Sequence, residues 1–465
     1  MSTRRDFLRL AATSSLAAGA ATSIITSKTH ALARRQPLKP ISPNDKIRIA
    51  TIGMGGMGFG DTRTALQVDG IEFVAAADCY DGRLKRAQEI WGKDLFVTRD
   101  YREIIARDDI DAVIIATPDH WHAQQTKDAL KAGKAVYCEK PMVQRIEEGH
   151  DVLKTADETG NLLIVGSQRV SSIIYEKAKS LYESGAIGTL NMVEARLNRN
   201  SAIGAWQYSI PPDASPETVD WDRFVGHAQK REFDAKRFFR WRNYQDYGTG
   251  IPGDLFVHLF SGIHLVLDSN GPERVMASGG LRYWIDGRDV PDIILGLYEY
   301  PETESHPAFT MSLQVNFADG GGGGTQFRFI GNEGVITINS RDTTLTRLAP
   351  RSEPGYTVGT FAQDMQEAYI SEYRDEYPAP ERAQLRGATE EVFTAPGGYN
   401  DRLDHFTNFF TALRTDGTVV EDGAYGFRAA APALLTNVSY ESRQIINWDP
   451  NAMKILDPAT MSSEE

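Results

Sequence analysis

From Lys46 onward, short apolar runs alternate with amphipathic stretches, and this alternation changes character near residue 167. Residues 46–53 (KIRIATIG) and 72–78 (EFVAAAD) are apolar runs of buried-strand length bounded by Gly or Asp, and 60–68 between them forms one helix. A short strand at 95–98 and a helical turn or two at 101–106 lead to 111–117 (DAVIIAT), a buried strand halted by Pro118. An amphipathic helix over 122–131, a strand over 135–138, a helix over 147–159 and a strand over 162–166 complete the pattern. Strands alternating with helices at this spacing predict a doubly wound parallel sheet covered on both faces.

Beyond residue 167 the spacing predicts an α+β arrangement. A strand at 189–197 is followed by an irregular stretch through Pro211, Pro212 and Pro216. Residues 293–300, 309–317, 325–330 and 334–338 alternate as strands of a largely antiparallel, open sheet, and 403–413 and 423–436 are helical. The consecutive glycines from Gly320 to Gly324 form a turn and not a phosphate site, because no helix pattern follows them. The expected division is an α/β domain over 46–167, an α+β domain over 168–449 and a tail over 450–465.

Composition narrows the function classes. Fifty basic against sixty-three acidic residues give a net charge of −13, which a phosphate backbone repels, so nucleic-acid binding is not expected. Two cysteines form no disulfide framework and no CxxC pair. No run approaches the length of uninterrupted apolar sequence that spans a bilayer. Residues 1–33 are a separate matter: Thr3-Arg4-Arg5-Asp6-Phe7-Leu8-Arg9, a mild apolar run and Ala31-Leu32-Ala33 resemble a bacterial twin-arginine signal. That resemblance implies periplasmic export of the folded protein, cleavage after about Ala33, and a linker over 34–45. The segment has no cysteine, so no lipid anchor on the mature chain is expected.

The candidate chemistry begins at Gly53-Met54-Gly55-Gly56-Met57-Gly58. This is G-x-G-x-x-G at the end of the first strand and the opening of a helix, the context that dinucleotide binding requires. Glycine lets the chain turn tightly and lets the backbone approach a pyrophosphate at the helix N-terminus. Alone the motif is weak. Asp78, at the end of the second strand, strengthens it, since a carboxylate there accepts from a ribose 2′-hydroxyl and repels a 2′-phosphate, favouring NAD over NADP.

Other residues are suggestive. Glu139-Lys140-Pro141 follows a strand at the carboxyl edge of the sheet, where Lys140 can polarise a substrate hydroxyl or carbonyl, although for the tripeptide in isolation a surface loop lysine is the preferred reading. Asp254 and His258 share a helical face at four-residue spacing; a carboxylate that orients an imidazole suits a general base, while an N-capping aspartate and a core histidine are the plainer account. His120 and His122 lack a third nearby ligand, so no metal site is expected. The run 236–247 (KRFFRWRNYQDY), with Arg240, Trp241, Tyr244 and Tyr247, suits a sugar-contacting or domain-packing wall.

Together GMGGMG, ATPDHWHA, YCEKP and GDLFVH resemble the glucose–fructose oxidoreductase/inositol dehydrogenase/MocA family in order and rough spacing over about 46–449. The resemblance implies a Rossmann domain joined to an α+β domain whose open sheet mediates homo-oligomerisation. It implies hydride transfer between a nicotinamide and a sugar or polyol carbon, with Lys140, Asp254 and His258 as catalytic residues. It places Thr117, Pro118, His120, His122, Glu139 and Lys140 beside the dinucleotide, with Gly53, Gly55, Gly56, Met57, Gly58 and Asp78. Some relatives use bound NAD transiently to cleave glycosides; their G-N-x-Y-P-T-H-G segment is GTGIPGDLFVH here, a mismatch that lowers that alternative. A third alternative, a dinucleotide-binding protein without turnover, is opposed by retention of Lys140, Asp254 and His258.

Overall fold

The computed structural model describes residues 46–347, 357–376 and 389–456. The expected signal over 1–33 and linker over 34–45 lie outside the described residues. The described residues form one compact unit built on two sheets.

The first sheet contains β1 (Ile47–Ile52), β2 (Ile71–Ala77), β3 (Phe96–Thr98), β4 (Ala112–Ile115), β5 (Ala135–Glu139) and β6 (Leu163–Gly166), all parallel, in the order β3-β2-β1-β4-β5-β6. The order reverses between β1 and β4, so the loops after these two strands diverge and leave a crevice at the carboxyl edge. Helices Gly56–Ala65, Asp81–Trp91, Asp119–Lys131 and Glu147–Thr159 connect the strands. The first begins four residues earlier than its apolar spacing suggests, because the glycines themselves enter the helix. The second carries only Leu84 and Ala87 as buried residues, too sparse a stripe to announce a helix.

The second sheet has ten strands: β7 (Leu190–Asn198), β8 (Arg274–Gly280), β9 (Ile293–Tyr300), β10 (Phe309–Asn316), β11 (Gly324–Gly331), β12 (Gly334–Ile338), β13 (Asp342–Arg347), β14 (Thr389–Thr394), β15 (Ile446–Asp449) and β16 (Lys454–Ile455). Its pairings are antiparallel except for β7 with β10. The stretch expected as a tail over 450–465 thus contains a short strand, β16, hydrogen-bonded to β15.

Two C-terminal helices tie the halves together. Asp401–Thr415 returns to the first sheet, where Phe406, Phe409 and Phe410 share a core with Ile47, Ile49 and Tyr137. Phe406 stacks on Tyr137 at 4.3 Å between ring centroids, a contact worth about 0.5–1.5 kcal/mol beyond its buried area. Gly423–Ser442 packs between the sheets, its Gly426 against Val165 so closely that a Cβ would fall 2.3 Å from that side chain. No helix among the described residues is long and apolar enough to cross a membrane.

Candidate functional site

A cleft of about 560 Å³ opens where β1 and β4 diverge, and Gly53, Gly55, Gly56, Met57, Asp78, Thr117 and Pro118 line it. Gly53 has φ +94°, and a Cβ there would lie 2.7 Å from the backbone of Ala116 and Thr117. Gly58 faces inward, where a Cβ would come within 1.9 Å of the Gly53 carbonyl oxygen. Gly58 thus serves close packing, and it does not line the cleft. Gly55 and Gly56 differ: a Cβ on either meets nothing within 4 Å. Gly55, in the N-cap position, has no side chain to cap the helix amides, so the first-turn N–H groups face open space suited to an anion. These features fit a dinucleotide pyrophosphate.

Asp78 closes one end. Its oxygens accept from the backbone N–H of Met54 at 2.8 Å and of Tyr80 at 2.9 Å, and Arg83 lies 3.4 Å away. Arg83 Nη1 donates to both oxygens only at 3.4 and 3.5 Å, so a ribose hydroxyl would take the place of that long contact on the carboxylate. On the opposite lip, Thr117 donates through its hydroxyl to Gln125 at 2.8 Å.

The two histidines expected beside the dinucleotide line none of the cleft. His120 is buried with Nε2 2.9 Å from the Phe224 carbonyl and Nδ1 3.3 Å from that of Tyr247. His122 has its ring nitrogens 2.7 Å from the Pro141 carbonyl and 2.8 Å from the Thr117 carbonyl, tying the two loops together. Both lie on the buried side of the helix Asp119–Lys131, so the direct contact expected of them is corrected to a supporting one. Glu139 is also buried, accepting from Gln168 at 3.0 Å beside Asp61. Burial and the neighbouring Glu139 carboxyl raise Asp61 well above the usual carboxylate range.

The catalytic candidates converge, though not in the expected pairing. Lys140 Nζ donates to the Asp254 carbonyl at 2.6 Å and to Asp254 Oδ1 at 3.0 Å. Arg242 Nε donates to the same Oδ1 at 3.0 Å. Burial pushes Asp254 up, but the charges of Lys140 and Arg242 outweigh it and hold the carboxyl well below its ordinary value. Asp254 therefore positions Lys140, not His258. The reason is local: Asp254 lies in a π-helical turn, Pro252–Phe256, ahead of the α-helix Val257–Leu267. Its wider i→i+5 turn breaks the stripe that four-residue spacing assumes, and two cations claim the carboxylate.

His258 is held by Ser167 instead, with Nδ1 3.1 Å from that carbonyl. A carbonyl only accepts, so Nδ1 carries the proton and Nε2 is left as an acceptor. Burial, then the charges of Lys140 and Arg169, hold the imidazole well below its ordinary value. The Ser167 hydroxyl is fixed in turn by Ser261 at 2.6 Å and by Glu421, whose carboxyl burial pushes up to about 8.

Of the aromatic run, Trp241 lines the cleft, with the Arg242 guanidinium 4.2 Å from its ring centre. Arg240 is spent on the Tyr208 carbonyl at 2.7 Å and on Gln207. Tyr244 and Tyr247 are buried in an aromatic cluster with Trp221, Phe224 and Phe238, which is the packing alternative for this run and corrects the sugar-contacting one for these two. Arg242 and Tyr208, which do line the cleft, were not singled out by the sequence. Arg242 lies in the same run as Arg240, and nothing in a single sequence ranks one above the other.

Residues 47–167 match a family described as an oxidoreductase family with an NAD-binding Rossmann fold. A glycosyl hydrolase family 109 protein of Shewanella sp. (strain ANA-3) is 35% identical over 169 residues, covering 34% of this chain and 37% of that protein. Inositol 2-dehydrogenase of Gluconacetobacter diazotrophicus is 30% identical over 158 residues, covering 34% of this chain and 47% of that protein. These matches thus span less than half of the relatives' own length. Among solved structures, levoglucosan dehydrogenase in complex with NADH and levoglucosan aligns with a TM-score of 0.62 at 17% identity, covering 86% of this chain and 99% of that one. An NAD-binding protein from Listeria innocua aligns with a TM-score of 0.60 at 19% identity, covering 86% and 97%. At that identity, these structures speak for the fold.

Proposed function

The chain carries the NAD-binding Rossmann domain of the Gfo/Idh/MocA oxidoreductases, and from that premise we propose that it transfers hydride between a nicotinamide and a carbinol carbon of a sugar or polyol. The observation that carries this reading is the meeting of Lys140, Asp254 and Arg242 beside a glycine-lined crevice, with a proton-accepting His258 nearby. When bound, NAD supplies the hydride acceptor. Gly55, Gly56 and the helix they open would hold its pyrophosphate, and Asp78 its adenosine ribose.

The chain's own residues handle the proton. Lys140, anchored by two bonds to Asp254, keeps a third N–H to donate to the reacting oxygen and polarise it. His258 Nε2 takes the hydroxyl proton, and its depressed basicity keeps it unprotonated and ready. Arg242 braces the Asp254 carboxylate from the other side and presents its guanidinium to the cleft.

Glycoside cleavage through transient oxidation is the second reading, favoured by the likeness to glycosyl hydrolase family 109 proteins. That route needs a further base for the C–H beside the ketone; Tyr244 and Tyr247 are buried, and Tyr208, which lines the cleft, has its phenol pushed up by burial, which makes it a poor base. Net sugar oxidation or reduction is therefore preferred. Incubation with aryl glycosides and free sugars separates the two. Ketose or lactone formed in step with cofactor reduction supports the proposal, and catalytic aglycone release without net cofactor change overturns it in favour of cleavage. Twin-arginine export to the periplasm, and self-association through the open face of the second sheet, where Leu295 and Leu297 are exposed, belong to the same proposal.

A further inference from the structure

Three distant segments of the chain meet behind His258. Ser167 directly follows β6, and Ser261 lies in the helix Val257–Leu267, three residues beyond His258 and close to the same face. Glu421 precedes Asp422, which caps the helix Gly423–Ser442 by accepting from the Tyr425 N–H at 2.8 Å. The Glu421 carbonyl also accepts from the Val165 N–H at 2.9 Å, which fixes this residue beside the end of β6. Ser167, Ser261 and Glu421 are all buried.

Their side chains close a ring of three oxygen–oxygen contacts. Ser167 Oγ lies 2.6 Å from Ser261 Oγ and 2.5 Å from Glu421 Oε2, and Ser261 Oγ lies 3.2 Å from Glu421 Oε1. Each contact needs one hydrogen, and each serine hydroxyl carries one. With an ionised carboxylate the two serines fill two contacts and leave the third as a bare pair of oxygens. A neutral carboxylic acid supplies the missing hydrogen, and all three contacts are then filled whichever way the ring runs. The surroundings agree with this count. The charges of Glu139, from β5, and of Asp422 both oppose ionisation, and burial pushes the carboxyl up to about 8.

We propose that Glu421 is a positioning residue, held as the neutral acid, that closes this ring and through it keeps His258 in the proton-accepting tautomer. The ring ties Ser167 to Ser261 on the helix that carries His258. The Ser167 carbonyl therefore keeps its place 3.1 Å from His258 Nδ1, and with the proton held on Nδ1 the bare nitrogen is Nε2. Ionisation of Glu421 takes one hydrogen out of the ring and loosens that carbonyl. Two other titratable groups border the ring. The Tyr425 hydroxyl donates to the Ser261 carbonyl at 2.7 Å, and His405 Nε2 lies 2.9 Å from the Val165 carbonyl. Burial pushes Tyr425 well up and His405 down to about 4, so neither changes charge in the range where Glu421 does. The effect on turnover rests on the reading of His258 as the base, whereas the ring and the tautomer do not.

The test is nitrogen NMR of the full chain labelled with 15N in its imidazoles, with His258→Gln identifying the signal. The parent at neutral pH should show His258 protonated on Nδ1. Glu421→Gln should show the same, because its amide donates to one serine and accepts from the other. Glu421→Ala, which opens the ring, should show a mixture of both tautomers, a change that a loss of stability alone does not produce. Turnover should follow: Glu421→Ala lowers kcat by about tenfold with NAD affinity held, and Glu421→Gln restores it. Above about pH 8 the parent should lose activity that Glu421→Gln keeps. A His258 protonated on Nε2 in the parent, a mixed tautomer in Glu421→Gln, or the parent tautomer in Glu421→Ala would each overturn the proposal. Should Glu421→Ala fail to fold, the infrared difference between the parent and Glu421→Gln decides: a protonated-carboxyl band in the parent alone supports the ring, and its absence overturns it. The predicted tautomers without any hydride transfer would leave the ring standing and overturn the reading of His258 as the base.

Discussion

Lys140 donates twice to Asp254, to its carbonyl at 2.6 Å and to its carboxylate at 3.0 Å, although 114 residues separate them in the chain. Because the same carboxylate oxygen also accepts from Arg242, Asp254 is the bridge that holds two cations side by side and fixes the direction of the lysine. Asp254→Asn keeps the size but removes the charge, so Lys140 keeps its bond to the backbone carbonyl and loses the ion pair that fixes its direction. Turnover should fall by about a hundredfold, while NAD affinity, set by the opposite end of the cleft, stays near that of the parent. The split between kcat and nucleotide binding is the measurement, and near-normal kcat would contradict the bridging role.

His258 is predicted to govern the acid limb of kcat/KM. Burial, Lys140 and Arg169 hold it below its ordinary value of 6.5, so the limb should fall below that pH. A base works while it is proton-free, so a depressed value extends activity toward acid. Arg169→Ala removes one of the cations and leaves its partner Asp401, bonded at 3.1 Å in the parent, without its charge partner. Both changes favour the imidazolium, so the limb should move to higher pH. A limb that stays put or moves the other way would contradict His258 as the base.

The glycines of the first turn separate packing from binding. Gly58→Ala puts a methyl 1.9 Å from the Gly53 carbonyl oxygen, so the backbone must shift. This should destabilise the fold by about 1–3 kcal/mol, read by denaturant unfolding. Gly55→Val meets no protein atom within 4 Å. Its stability should stay within about 0.5 kcal/mol of the parent, and NAD titration should show at least about a tenfold loss of affinity because the side chain fills the approach to the pyrophosphate.

The nucleotide end was largely legible in the chain, and the chemical end only in part. GMGGMG and DAVIIAT announce themselves because the backbone rules that place glycine and buried strands act locally, and β1 and β4 fall close to where their patterns end. The strands β8 and β14 were not legible: β8 ends in Ser-Gly-Gly, and β14 is largely exposed at the sheet edge, so neither carries a strong alternation. The parallel pairing of β7 with β10 depends on residues more than a hundred positions apart and leaves no local trace. At the site, the residue types of Lys140, Asp254 and His258 were visible, but their partners were not. Asp254 turns to Lys140 because of a π-turn that periodicity does not reveal, and His258 is held by a backbone carbonyl, Ser167, that any residue type supplies.

Cofactor choice is open to a direct comparison. Asp78→Ala removes a ribose acceptor and a negative charge, and frees Arg83, now 3.4 Å away, to meet a 2′-phosphate. NAD affinity should fall more than NADP affinity in paired titrations. Equal losses would show that Asp78 acts only through its bonds to Met54 and Tyr80.

The most direct measurement of hydride transfer itself is a single turnover of the NAD-charged protein with a panel of sugars and polyols, following absorbance in the reduced-nicotinamide band. The account predicts that at least one substrate generates reduced nicotinamide in the parent, that deuterium on the reacting carbon slows its appearance, and that Lys140→Ala and His258→Ala, folded and NAD-loaded, each slow it by about a hundredfold or more. Product formation with no reduced nicotinamide at any time, or undiminished reduction in both variants, would contradict it.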